Sequence, residues 1–142
     1  MAKSLVHLRT FEGQLEQLAP IREFVAATVH ALGGNADDGF ACELAVDEAA
    51  TNFFQHAYAG ERGKVEIKIW RDDADLFIQL RNWGKPFDPS EVPEPNFELP
   101  LEERRPGGLG LYLMRRVMQE VDFEFDSRHG NSVTLRRRLL AA

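Results

Sequence analysis

Between Tyr58 and Lys64 the hydrophobic period of this chain switches from that of a helix to that of a strand. Before the switch, from about Asp37 to Tyr58, Cys42, Val46, Ala49, Phe53 and Ala57 recur at steps of three and four and make one apolar helical face. After it, KVEIKIW at 64–70 and DLFIQLR at 75–81 alternate apolar and polar residues, as half-buried strands do. Gly60 and Gly63 mark the break, and Asp72, Asp73 and Ala74 supply a hairpin turn between the strands. A helix with one apolar stripe beside a sheet with one apolar face leaves few arrangements other than a layered one.

The flanking segments extend that arrangement. Residues 4–10 alternate like a strand, and Leu15, Leu18, Ile21, Val25, Val29 and Leu32 follow at helical spacing. Pro20 falls in or just before the first turn of that helix, where its missing N–H costs nothing. Gly33 and Gly34 end it, and Asn35 or Asp37 can cap the next. Residues 84–107 hold most of the chain's prolines and no sustained period, and so read as a loop. Loops longer than about 12–15 residues in a compact domain are usually lids or linkers. A helix from Leu109 to about Gln119 follows, then strands at 121–127 and 132–139 around His129, Gly130 and Asn131. The expected fold is α+β: a single domain over 1–142 built as a two-layer α/β sandwich, its mixed and mostly antiparallel sheet carrying helices on one face.

Composition narrows the function. No apolar run approaches the roughly 20 residues of a membrane span, and Met1 to Thr10 lacks the features of a secretory signal, so a cytoplasmic protein is expected. A formal charge of −6 would repel a phosphate backbone, which argues against direct nucleic-acid binding. The basic residues gather as Arg104–Arg105 with Arg115–Arg116, and as Arg136–Arg138; the last run reads chiefly as a solvated strand face and secondarily as an anion-binding surface. Cys42, the single cysteine, sits among apolar helix residues and reads as core, and no Cys/His cluster has zinc-ligand spacing.

Three short segments carry chemistry. Glu48 and Asn52 lie four apart, one turn above the other beside the apolar stripe, so a carboxylate and an amide can converge on one ligand. Ala45, Ala49 and Ala50 leave room next to them. An ordinary amphipathic edge is the competing explanation. PGGLGL at 106–111 opens a helix, and glycines with free N–H groups at a helix N-terminus suit a phosphate, although such loops are also plain hinges. RNWGKPFDP at 81–89 reads by itself as a strand end and a turn.

Together, in this order, the segments resemble the N, G1 and G2 boxes of the GHKL (Bergerat-fold) ATP-binding superfamily. ELAVDEAATNFFQHAY at 43–58 is similar to the N box, RNWGKPFDP to the G1 position, and GGLGLYLMRRVMQEVDFE at 107–124 to the G2 box of the anti-sigma factor serine kinases. The short length also fits that branch better than sensor histidine kinases. The resemblance implies ATP and Mg²⁺ as ligands, with Asn52 holding the metal and Glu48 acting as base or orienter. Arg105 would contact the γ-phosphate, with Arg104 as close rival. His56, Asn82, Gly84, Gly107, Gly108, Leu109 and Gly110 would line the nucleotide site, under a lid at about 88–107. It also implies a homodimer that sequesters a sigma factor and phosphorylates a serine of a STAS-type anti-anti-sigma antagonist. The chain departs from the family at one position: an aspartate that accepts from the adenine amino group is here Asn82. Its carbonyl can still accept, its NH₂ could instead donate, or it could be a turn residue only. The departure keeps open a second function, a non-catalytic nucleotide-binding module for partner switching.

Overall fold

The computed structural model describes residues 3–93, 96–103 and 109–139. Five strands form one sheet: β1 (His7–Gly13), β2 (Gly63–Asp72), β3 (Asp75–Asn82), β4 (Glu120–Asp126) and β5 (Gly130–Arg138). Their order is β1-β2-β3-β5-β4, and all four pairings are antiparallel, so the sheet has no parallel component among the described residues. Helices α1 (Leu18–Ala31), α2 (Ala36–Asn52) and α3 (Leu109–Val117) pack with one another. The residues they cover are Val65, Ile67 and Ile69 on β2, Leu76, Ile78 and Leu80 on β3, and Val133 and Leu135 on β5, all fully buried or nearly so. The period-2 alternation on both central strands therefore selects the helix-facing side, as the two-layer fold requires.

The elements start and stop for identifiable reasons. Asn35 caps α2: its side chain accepts from the Asp38 N–H at 2.9 Å, and Asp38 accepts in return from the Asn35 N–H at 3.0 Å. After Asn52 the helix widens into a π turn over Phe53–Ala57, with the Tyr58 N–H donating to the Phe53 carbonyl. That turn stands where sequence periodicity suggests continuous α-helix to Tyr58. The 84–107 segment is not structureless. It contains 3-10 turns at Pro89–Glu91 and Leu101–Glu103, the first capped by Asp88, and Phe97 packs on Tyr112 of α3 with ring centroids 4.8 Å apart.

Two expectations change. β1 begins and ends later than residues 4–10, and its buried side chain, Phe11, which pairs with Val65, lies beyond that segment, whereas Leu8 within it is 57% exposed. The basic run 136–138 is divided between two faces, with Arg138 exposed as a solvated strand face would have it and Arg137 turned inward. Arg137 points into the helix layer, donating to Asp38 at 3.0 Å and to the Val117 carbonyl at 2.6 Å, while Arg136 and Arg138 pair with Asp75 on the other side. Alternation along β5 sends neighbouring arginines to opposite faces, which a count of basic residues cannot see. No helix among the described residues is long and apolar enough to cross a membrane.

Candidate functional site

The last two turns of α2 and the π turn form one wall of a cavity of about 460 Å³, within the usual range for a small-molecule site. Glu48, Thr51, Asn52, Gln55 and His56 line this wall, at the i, i+3, i+4 steps of a single helical face. The opposite wall comes from Phe87, Pro89 and Val92, and the far end from Leu109, Gly110 and Leu111 at the start of α3. The first described turn of α3 thus borders the same space as Glu48 and Asn52, and a helix start in such a place is suited to an anion.

Gly110 suits this closeness. A Cβ there would lie 2.6 Å from Glu48 Oε2, so a larger residue would have to displace the carboxylate from its present position. Half-burial raises the Glu48 pKa above its ordinary value, and the neighbouring Asp47 charge adds to the shift. Asp47 itself is held by Arg22 at 2.5 Å.

A narrow slot of about 10 Å³, room for one water, continues inward from the cavity. Asn52, Phe87 and Pro89 border both spaces, and the slot ends on Asn82, Phe53 and Phe123. The Phe87 ring stacks on His56 with centroids 4.3 Å apart and planes 17° from parallel. Gly84 lies just outside. A Cβ on it would run into the Ala57 carbonyl, which accepts from the Lys85 N–H at 2.9 Å, so the chain leaving β3 crosses the π turn only as glycine. Tyr58 clamps the same crossing, donating to the Lys64 carbonyl and accepting from the Trp83 N–H at 2.9 Å.

Asn82 is buried at the end of β3, opposite Asn131 of β5. Its Oδ1 accepts from the Gly84 N–H at 3.0 Å and from Asn131 Nδ2 at 3.1 Å. It is thus a turn-forming residue and a wall of the slot at once. Glu48, Asn52, His56, Asn82, Leu109 and Gly110 are brought to this one region, and Gly84 supports it from behind. Arg104, Arg105, Gly107 and Gly108 lie outside the described residues. Sequence reasoning did not single out Thr51, Gln55, Phe87 or Phe123, nor Asn131 beyond its turn. Helical spacing from Asn52 was a usable signal for Thr51 and Gln55; the others arrive through tertiary packing.

The residues fit a nucleotide with Mg²⁺ in volume and in chemistry at the phosphate end. No group of three or more metal-ligating His, Cys, Asp or Glu exists among the described residues, and Mg²⁺ needs none: it commonly takes one or two protein ligands and fills its shell with phosphate and water.

The chain belongs to the histidine kinase-like ATPase domain family, whose profile matches residues 11–137. Within that class it is similar to serine-protein kinases named RsbW. The one from Bacillus cereus strain AH820 is 31% identical over 115 residues, 78% of this chain and 72% of its own length. That of Bacillus licheniformis is 32% identical over 118 residues, 79% of this chain and 73% of its own. The fold also matches the crystal structure of the RsbU and RsbW domains of Rv1364c from Mycobacterium tuberculosis, with a TM-score of 0.61 at 14% identity. That match covers 94% of this chain and 32% of the larger protein.

Proposed function

We propose that this protein is an anti-sigma regulator that binds Mg-ATP, holds a sigma factor away from its polymerase, and phosphorylates a serine of a STAS-type anti-anti-sigma antagonist. The observation that carries the proposal is the convergence of Glu48, Asn52 and the start of α3 on one nucleotide-sized cavity. Similarity to RsbW serine-protein kinases supports the same reading.

Phosphoryl transfer depends on positioning and charge neutralisation more than on covalent chemistry by the protein. Bound Mg²⁺ supplies neutralisation at the phosphates. The Asn52 amide oxygen would hold it. Glu48 orients the incoming serine hydroxyl and accepts its proton, a task for which a pKa raised by burial is suited. Backbone N–H groups around Leu109 and Gly110 receive the phosphates. Arg105, or Arg104 beside it, serves the transferred group.

The test is transfer of label from γ-labelled ATP to a cognate antagonist in the presence of Mg²⁺. Label on one serine of the antagonist is expected. No transfer to any cognate antagonist, from protein that binds nucleotide, would favour the second reading: a partner-switching module that binds nucleotide without using it. Asn82 in place of an aspartate is the observation behind that alternative.

A further inference from the structure

The backbone of Gly84 fixes the orientation of two buried amides. Its carbonyl can only accept, so the Asn131 atom 3.0 Å away is the donor Nδ2. Its N–H can only donate, so the Asn82 atom 3.0 Å away is the acceptor Oδ1. The two amides then satisfy each other, Asn131 Nδ2 to Asn82 Oδ1, at 3.1 Å. Turning Asn82 over would set its NH₂ against both donors at once.

The Asn82 NH₂ remains. Asn82 is 2% exposed, and its Nδ2 has no partner among the described residues. Among the described residues no side-chain nitrogen or oxygen is both sealed from solvent and unpaired, so Nδ2 retains some accessible surface. Around Asn82 the slot is lined by Ala49, Phe53, Ala57, Phe87, Pro89 and Phe123, with Asn52 as the one other polar side chain. A flat ring suits such walls, and the demand that the Asn82 NH₂ makes of it is for an acceptor.

Resting on the nucleotide reading above, we propose that Asn82, locked by Asn131 and Gly84, makes the inner end of the site select a ring carbonyl over a ring amino group. Among purine nucleotides this favours 6-keto bases over adenine, ATP being bound more weakly but not excluded. The adenine amino group would meet a donor with a donor in a desolvated place, leaving both unsatisfied. A ring that reaches Nδ2 must shift Phe87 or Phe123, because the slot has space for about one water. Asn131 is a positioning residue here, since it acts through Asn82.

The experiment is calorimetric titration of the full chain with Mg-ITP, Mg-GTP and Mg-ATP, with Asn82→Asp and Asn131→Ala beside the wild type. ITP and GTP are expected to bind wild type about ten-fold or more tighter than ATP. Asn82→Asp, which can only accept, should reverse the order. Asn131→Ala removes the lock, so the ITP-to-ATP ratio should fall toward one while binding persists. Wild type that binds ATP as tightly as ITP, or tighter, overturns the inference and leaves the nucleotide reading intact. If none of the three nucleotides binds, both fall. Circular dichroism reports whether each variant is folded, and the wild-type ratio alone decides the matter if Asn82→Asp is not.

Discussion

Glu48 and Asn52 are neighbours on one helix, yet their substitution should be read out differently. Glu48→Gln keeps the shape and removes the base, so nucleotide binding should persist while transfer to the antagonist falls by about 10²–10⁴-fold in a single-turnover assay. Asn52→Ala removes the candidate metal ligand, so the loss should appear already in Mg-dependent binding. Equal transfer by wild type and Glu48→Gln would remove Glu48 from the mechanism. The pH dependence has a definite sign. Burial first, then Asp47, raises the Glu48 pKa, so transfer should fall as pH drops through a value higher than the ordinary one for a glutamate. For stability, the contribution of Glu48 is fully present below its unfolded-state pKa and is lost as pH rises through the folded one. Glu48→Gln should therefore melt higher than wild type at neutral pH and lose that advantage in acid. Cys42 illustrates the opposite outcome of burial. Its thiol is pushed up to about 12, mainly by desolvation, and should not react with thiol reagents in the native protein.

At the scale of elements, Arg137 joins three that the chain separates widely: β5, the capped start of α2 through Asp38, and the end of α3 through the Val117 carbonyl. Asp38 is fully buried and Arg137 nearly so. Removing one partner of such a pair strands the other, so Asp38→Ala should cost about 3–5 kcal/mol in urea unfolding. A cost below about 1 kcal/mol would mean that water or another group replaces the partner. This tie also shows what was legible beforehand. The α2 cap, both hairpins and the helix-facing side of β2 and β3 follow from local period and turn chemistry, and Glu48 with Asn52 follows from a four-residue step. The parity of β1, the inward Arg137, and the Asn131 and Phe87 that meet Asn82 and His56 depend on register and packing between distant segments. A shift of one residue in register exchanges faces, and nothing local reports it.

For the whole molecule, a ligand that binds only the folded chain stabilises it by mass action, by about 2.7 kcal/mol at a hundred times its Kd. Millimolar Mg-nucleotide should therefore move the melting curve upward, and no movement with any purine triphosphate would count against the site. The homodimer rests on family resemblance, and light scattering that returns the monomer mass at high concentration would set it aside. The sheet itself implies an order of assembly. β2 with β3, and β4 with β5, are joined by short turns, whereas β1 pairs with β2 in a register that sets His7 against Ile69, with α1 and α2 between them. Closing so long a stretch of chain is entropically costly, so the hairpins should zip first and β1 last. β1 and β4 are both edge strands held by a single neighbour, and β1, which is not joined to its neighbour by a short turn, should also be the first to let go. Its amides are then expected to exchange with deuterium well before those of β3, whose two neighbours leave it no open edge.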